Sequence, residues 1–363
     1  VNKYPQVAII CLNWNGWEDT IECLESIFRI SYPNYQVVVL DNGSTDDSWE
    51  KIKKWAEGKQ EIYVDHKNPL YYFSHPPVPK KIHYVEYLIR TSIKEEKPFK
   101  NFLGSNIYPL ILIKTDNNLG FAGGNNLGMK VAIENMVEYV LLLNNDTIVE
   151  PSFLDELVRV ALLDDRIAVV GSVIVDYYTQ KIVFTNSKID KKLKAAIRLD
   201  HLNSSEDWWK TDRVSGASLL IRVDSLLKYS LFLDEDLFLY CEELDLCLKA
   251  KKVGLKIVMA GKSKVYHKES ASLGGPLNPI AIYYNIRNRI LLAKKLLNFK
   301  QKFIFGVLFL LARLLRCFEW IIKRQWVLIK ITFIAFKDGI KGKVGERKEL
   351  TFTAYHRRPR SWL

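Results

Sequence analysis

The segment Tyr139-Val-Leu-Leu-Leu-Asn-Asn-Asp146-Thr147 ends five residues of strand character in two amides, a carboxylate and a hydroxyl. A short apolar strand that stops at a clustered acid is how an α/β sheet presents a ligand at its carboxyl edge. A carboxylate there can hold a hard divalent cation, and that cation can hold a diphosphate. A strand followed by an Asn/Asp turn has the same composition, so the string alone leaves both readings open.

Other stretches carry side chains suited to the same chemistry. Asp41-Asn-Gly-Ser-Thr-Asp46 follows the β-rich run Val37 to Leu40. A carboxylate at that edge can accept from a base N–H or a ribose hydroxyl, although the same letters make a generic turn. Asn118-Leu-Gly-Phe-Ala-Gly-Gly-Asn-Asn-Leu-Gly128 reads as a glycine-rich loop opening a helix. Its backbone N–H groups could approach phosphate or ribose oxygens, or its glycines could simply let it pack under neighbouring helices. It matches neither the dinucleotide G-x-G-x-x-G nor a P-loop.

Phe238-Leu-Tyr-Cys-Glu-Glu-Leu-Asp245 sets Glu242 and Glu243 side by side at a helix start, with Asp245 further in. Adjacent carboxylates in a cleft raise one another's pKa and can supply a general base. An acidic first turn also complements a helix dipole, so this too stays open. His267 ends the β-like run Lys264-Val-Tyr-His267, where a neutral imidazole is either structural or a metal ligand.

The elements that must position these groups follow a strand-then-helix pattern. Val7 to Leu12 leads into an amphipathic stretch from Glu18 to Arg29; Val37 to Leu40 leads to a helix that Asp46 is placed to cap. Tyr108 to Lys114, Tyr139 to Leu143 and Ala168 to Val175 are further strands, with a helix from about Pro151 to Leu163. The repeat predicts an α/β protein with a mostly parallel sheet covered on both faces. Two stretches break the pattern. Residues 58–106, with five prolines, read as an insertion that is helical around Ile82 to Lys94. Tyr177 to Arg213, with Trp208 and Trp209, reads as irregular.

The 363 residues suffice for a full core, and the net charge of +12 is unevenly placed. Residues 280–363 hold 19 Lys/Arg against 4 Asp/Glu, so the basic character belongs to the tail. Phe303 to Ala312 is uncharged but too short for a bilayer span, which needs about 20 residues. Apolar and aromatic faces interrupted by Lys and Arg at helical spacing fit helices lying in a membrane interface, or a helix pair packed on the body. Nucleic-acid binding fits poorly, because the basic residues alternate with long aliphatic ones. Five scattered cysteines without C-x-x-C spacing argue against a disulfide framework or zinc site and for a reducing compartment. The start Val-Asn-Lys-Tyr-Pro shows no secretory signal pattern.

Taken in order, these motifs resemble the family 2 inverting glycosyltransferases of GT-A fold, and most closely their rhamnosyltransferase-like branch, which builds cell-surface polysaccharides. The resemblance covers roughly residues 6–45 and 114–300. It rests on V-A-I-I-C-L-N-W-N-G, D-N-G-S-T-D, N-L-G-F-A-G-G-N-N, L-L-L-N-N-D and the Glu-Glu-x-Asp helix, with Val214 to Arg222 and Tyr284-Asn-Ile-Arg-Asn-Arg289 as further family-like stretches. It implies a Rossmann-like catalytic domain over residues 1–278, with a nucleotide-binding half to about 150 and an acceptor half over 151–278. A basic amphipathic helical region, 279–363, would then associate with the membrane.

By position, the resemblance implies that Asp41 contacts the nucleotide, with Asn13, Gly123, Gly124, Asn125, Asn126 and Asn145 nearby. Asp146 becomes the main ligand of Mg²⁺ or Mn²⁺, with His267 and with Asn144 in the place of the family's first Asp. Glu243, or Glu242 beside it, becomes the general base; Ser215, Gly216, Ala217 and Asp245 line the donor or acceptor pocket. Two departures stand out: Glu243 occupies a position that more often holds Asp, and the 58–106 insertion exceeds the usual connection. The implied activity is transfer of rhamnose or another hexose from a nucleotide-diphosphate donor, dTDP-rhamnose or a UDP-sugar, to a lipid-linked or polysaccharide acceptor. The setting would be the cytoplasmic face of a membrane. A UDP-galactofuranose or UDP-N-acetylglucosamine transferase, or an inactive sugar-nucleotide-binding scaffold, is the alternative.

Overall fold

The computed structural model describes residues 4–62, 64–91, 109–189, 196–199, 206–268 and 278–350, the segment 196–199 by its backbone. The first unit is β1 (Val7–Asn13), α1 (Trp17–Ile27), β2 (Tyr35–Asn42) and α2 (Ser48–Ala56). A short helix α3 (Tyr71–Ser74) and strand β3 (Tyr84–Ile89) precede β4 (Leu110–Thr115), α4 (Gly120–Glu134), β5 (Tyr139–Asn144), β6 (Thr147–Val149) and α5 (Phe153–Ala161). Then come β7 (Ile167–Asp176), β8 (Ile182–Phe184), β9 (Asn186–Ile189), β10 (Ala196–Leu199), β11 (Trp208–Lys210), β12 (Ser218–Arg222) and α6 (Val223–Tyr229). After a 3-10 turn at Glu235–Leu237 the chain forms α7 (Glu242–Lys252) and β13 (Lys256–His267), and ends in α8 (Pro279–Leu296), α9 (Phe299–Ile322) and α10 (Trp326–Lys341).

One mixed sheet organises these elements in the order β11-β13-β7-β12-β5-β1-β2-β4-β3, with β6 on β13 and β8 on β7. The run β5-β1-β2-β4-β3 is parallel, while β12 lies antiparallel between β5 and β7. Strand β1 pairs with both β2 and β5, so the strand order reverses there, and the crevice beyond those carboxyl ends is where such sheets bind ligands. The central strands are near-continuous apolar runs because both faces are covered. Helix α5 starts at Phe153, so Pro151 precedes it instead of occupying its first turn. Asp46 does accept the Ser48 N–H at the start of α2.

Within the stretch 82–94 expected to be helical, Tyr84–Ile89 form instead the edge strand β3, parallel to β4. Tyr-Val-Glu-Tyr-Leu-Ile is β-branched and aromatic, and its exposure alternates residue by residue as a half-covered edge strand requires. Residues 92–106 of the expected insertion, and 351–363 of the basic tail, lie outside the described residues. The described part of the insertion is pinned to α1 by buried Glu25. Its carboxylate accepts from Trp55 Nε1 at 2.7 Å, Lys80 Nζ at 2.8 Å and Val78 N at 2.7 Å. The stretch expected to be irregular from Tyr177 contributes β8, β9 and β11, with Trp209 buried against the sheet and donating to the Thr185 carbonyl at 3.1 Å.

Helices α8 and α10 pack together and join the body through a cluster containing Phe238, Tyr284, Trp320, Leu328 and Ala335. Helix α9 turns Cys317 and Trp320 inward and leaves a long apolar row exposed, including Phe303, Leu311, Leu315, Phe318 and Ile322. Among the described residues no helix is long and apolar enough to cross a membrane.

Candidate active site

The carboxyl ends of β1, β2 and β5 are joined by a row of side chains. Buried Asp41 accepts through Oδ1 from Asn13 Nδ2 at 2.8 Å and from the Ser44 hydroxyl. Asn13 Oδ1 in turn accepts from Thr20 Oγ1 at 2.9 Å, and Thr20 accepts from Asn145 Nδ2 at 2.9 Å. Asp41 Oδ2 is buried and has no hydrogen-bond partner among the described residues. Burial raises the Asp41 carboxyl above its ordinary value, against the lowering pull of Ser44, Asn13 and Lys114. A buried carboxylate oxygen left open is costly, and a ligand N–H or hydroxyl would satisfy it.

The glycine-rich segment is not a loop. Gly123, Gly124, Asn125 and Asn126 lie inside α4, and the donors at its start are already taken. Leu119 N donates to Asn42 Oδ1 at 2.9 Å, Gly120 N to Asn118 Oδ1 at 2.8 Å, and Phe121 N to the Phe238 carbonyl at 2.7 Å. A Cβ on Gly124 would stand 2.5 Å from Leu12 Cδ1, so this glycine lets α4 lie close on β1. Asn125 Nδ2 donates to the Phe121 carbonyl at 2.9 Å. Asn126 exchanges hydrogen bonds with Leu233 at 2.9 and 3.0 Å. None of these four residues lines the cleft described next.

That cleft, about 380 Å³, is lined by Asn144, Asn145, Asp146 and His267, by Ser215 to Ala217, and by Glu242 and Glu243. Strand β13 carries His267 to a position opposite Thr147 on β6. His267 Nε2 stands 3.0 Å from Asp146 Oδ1 and 3.4 Å from Asn144 Nδ2. Although burial works the other way, His267 and Lys268 hold the Asp146 carboxyl below the usual range. The Asn144 N–H donates to the Ala217 carbonyl at 3.0 Å, which fixes the 215–217 turn beside the Asn-Asn-Asp end of β5.

The family resemblance implies a divalent ion here. Among the described residues no group of three His, Cys, Asp or Glu converges. One carboxylate, one imidazole and a neighbouring amide do converge, and they fit an ion that takes its remaining oxygens from a ligand diphosphate and water.

The acid pair enters the cleft from an unusual loop. Phe238, Tyr240 and Cys241 have φ of 63°, 69° and 74°, the left-handed region that costs about 1–3 kcal/mol for a residue with a side chain. Gly120 matches this loop, because with φ +71° its missing Cβ would lie 2.4 Å from the Phe238 carbonyl. Glu243 Oε1 pairs with Arg213 Nη1 at 2.7 Å. Glu242 is buried, its Oε1 has no partner among the described residues, and its pKa is pushed up to about 8, by burial first and by the Glu243 charge second. Asp245 lies off the cleft, 2.5 Å from Lys249.

The structure therefore brings nine of the sequence-chosen residues to one cleft: Asn144, Asn145, Asp146, Ser215, Gly216, Ala217, Glu242, Glu243 and His267. Asn13 and Asp41 stand behind Asn145 through Thr20. The choice of residues missed Arg213 and the aromatic walls Trp14, Phe121, Phe238, Tyr240 and Tyr284. Arg213 gives no signal of its own, since it ends a stretch without periodicity. Tyr284 lies in a segment already marked as family-like.

Fold and cleft together define an α/β protein of GT-A type, with its site at the sheet's switch point. Two family models match the sequence, Glycosyl transferase family 2 over residues 7–69 and Glycosyltransferase like family 2 over residues 105–280, so the chain carries glycosyltransferase family 2 domains. No curated protein sequence matches it. The mannosyltransferase PcManGT from Pyrobaculum calidifontis, in complex with GDP-Man and Mn²⁺, is similar at 16% identity and a TM-score of 0.51, covering 97% of this chain and 79% of that one. GalNAc-T7 with UDP, GalNAc and Mn²⁺ is similar at 12% identity and a TM-score of 0.52. That match covers 73% of this chain and 43% of GalNAc-T7, so the chain accounts for less than half of that protein's length. At these identities the likeness is one of fold.

Proposed function

We propose that the chain is a metal-dependent inverting glycosyltransferase that moves a sugar from a nucleotide-diphosphate donor to a lipid-linked or polysaccharide acceptor. The observation that carries this reading is the meeting, in one cleft, of Asp146 and His267 with the acid pair Glu242–Glu243. Asp41 takes the nucleotide through its open Oδ2, and the Asn13–Thr20–Asn145 row keeps it in register with Asp146. Asp146, His267 and Asn144 hold the cation, Mn²⁺ or Mg²⁺, which when bound neutralises negative charge on the donor diphosphate. The solved relatives bound to GDP-Man or UDP with Mn²⁺ support that choice of ligand class.

Glu243 takes the proton of the acceptor hydroxyl as it attacks the anomeric carbon, and the diphosphate leaves from the opposite face with inversion. Arg213 holds the Glu243 carboxylate in place. Glu242, protonated across the neutral range, keeps a second negative charge away from the base. Within this class the donor is dTDP-rhamnose, in keeping with the rhamnosyltransferase-like motifs, and the product a cell-surface polysaccharide. The exposed apolar row of α9, flanked by Arg316, Lys323, Arg324 and Lys330, supports peripheral docking on the inner face of the membrane, where a lipid-linked acceptor would be met.

The test is a thermal-shift screen of nucleotide sugars with Mn²⁺, followed by turnover with the best ligand. Stabilisation by a dTDP-, UDP- or GDP-sugar only when Mn²⁺ is present is expected. No stabilisation by any of them would overturn the reading, and preference for a UDP-sugar would move the donor assignment away from rhamnose.

A further inference from the structure

Helix α8 belongs to the C-terminal region that composition sets apart from the sheet, yet its most deeply buried polar residues face the loop before the acid pair. Asn288 is fully buried. Its Nδ2 stands 2.9 Å from the carbonyl oxygen of Leu237, 2.8 Å from that of Leu239 and 2.7 Å from that of Tyr240, so its two N–H groups are shared among the three. Its Oδ1 accepts from Arg287 Nε at 2.9 Å, and Arg287 Nη2 adds a second bond to the Leu237 carbonyl at 2.9 Å. The fourth carbonyl of this stretch, that of Phe238, is held from the other side by the start of α4.

The gripped segment has an unusual backbone. Phe238, Tyr240 and Cys241 all have left-handed φ, and such runs persist only where their surroundings over-determine them. Phe238, Leu239 and Tyr240 line the cleft, and Glu242 and Glu243 follow directly. An amide suits the task because it presents N–H donors to the carbonyls and its own oxygen to Arg287. A carboxylate in the same space would present only lone pairs to the three carbonyls.

We propose that Asn288 is a positioning residue for the acid pair. By holding the Leu237, Leu239 and Tyr240 carbonyls it fixes the left-handed loop that aims Glu242 and Glu243 into the cleft, which makes α8 part of the catalytic apparatus. The catalytic half of this inference rests on the proposed function; the holding of the loop does not.

Cys241 supplies a readout independent of activity. It is buried within the gripped loop, just before α7, whereas Cys247 lies in α7 and packs in the main core. In the full chain, maleimide labelling resolved by mass spectrometry should show Asn288→Ala raising the Cys241 rate about tenfold or more, with Cys11 and Cys247 nearly unchanged. Turnover with the donor found in the screen should lose about 10- to 100-fold in kcat, while donor KM stays within about twofold. Asn288→Ser, which keeps one donor, should fall between, and it decides the matter if the alanine variant does not fold. Labelling of Cys241 and Cys247 rising together would mean general loosening and would overturn the proposal. So would an unchanged Cys241 rate, or a raised one with unchanged kcat. A wild-type chain without turnover counts against the proposed function, and the labelling rates then decide on their own whether Asn288 holds the loop.

Discussion

The guanidinium of Arg213 stands 2.7 Å from the Glu243 carboxylate, although the two lie on segments that nothing in the sequence ties together. Arg213 is set from below by the Phe184 ring of β8, 5.4 Å from its guanidinium. If Glu243 is the base, Glu243→Gln should reduce kcat by about 10²–10⁴ with donor KM little changed. Arg213→Ala should cost less turnover and also lower the melting temperature, because it leaves a mostly buried carboxylate without its partner. Steady-state kinetics beside thermal melts separate the two effects. Full activity in Glu243→Gln would assign the base elsewhere.

Adjacent Glu242 behaves differently with pH. Its folded pKa of about 8 lies above the 4.5 of an ordinary glutamate. The folded chain therefore keeps a proton that the unfolded chain releases across this window, and Glu242's contribution to stability falls as pH rises from about 4.5 to 8, staying flat outside it. Glu242→Gln removes that dependence. It should raise the melting temperature at pH 8.5 by about 2 °C or more and give no gain at pH 4.5. The rate profile tests Glu242 as the base: in that role it would make kcat/KM drop about tenfold between pH 9 and pH 7, and a profile without that limb would exclude it.

If Asp146 and His267 hold the cation as proposed, the ligand set is short and each should matter. Asp146→Ala should abolish stabilisation by Mn²⁺ with nucleotide, and His267→Ala should weaken the apparent Mn²⁺ affinity about tenfold or more. Asn144 lies 3.4 Å from His267 Nε2. Replacing it by Asp adds a charged ligand and should tighten Mn²⁺, read by metal titration of thermal stability. Unaltered metal response in Asp146→Ala would remove this residue from the site.

Much of the sheet was legible because buried parallel strands leave nearly pure apolar runs, as at Val7 to Leu12 and Tyr139 to Leu143. Their polar ends mark the crevice, so the Asn-Asn-Asp end of β5 could be read from sequence as cleft-lining, and the acid pair stood out separately as an acidic helix start. At Gly124, close helix–strand packing and a phosphate cradle ask for the same residue, and its approach to Leu12 becomes visible only in the fold. Strand β3 was hidden by the prolines before it, and its pairing with β4 is a long-range fact. The left-handed loop at 238–241 had no local sign, since no glycine or asparagine marks it. Its support comes from Asn288, some fifty residues further on.

Asp41 Oδ2 is buried without a partner among the described residues, and the proposed reading gives it to the nucleotide. Asp41→Ala should weaken binding of the nucleoside diphosphate by about ten- to a hundredfold, the range for a hydrogen bond to a charged group, while Mn²⁺ still enhances what binding remains. Isothermal titration gives both numbers. Equal affinities in wild type and variant would place the nucleotide elsewhere.

The face of α9 supplies the last prediction. Leu315 and Phe318 are 74% and 64% exposed, a degree of apolar exposure that a soluble surface rarely sustains along a whole helix. Basic side chains at Arg316, Lys323 and Arg324 interrupt it, so an anionic lipid surface satisfies both the apolar and the charged parts. The chain should sediment with vesicles containing phosphatidylglycerol and far less with pure phosphatidylcholine. Raising salt from about 0.1 to 0.5 M should weaken the attachment, because screening shortens the reach of the basic residues. Leu315→Glu with Phe318→Glu should release the protein from vesicles while leaving Mn²⁺-dependent nucleotide binding intact, since neither residue lines the cleft. If the face instead joins two copies of the chain, the wild type will sediment as a dimer without lipid and the double variant as a monomer.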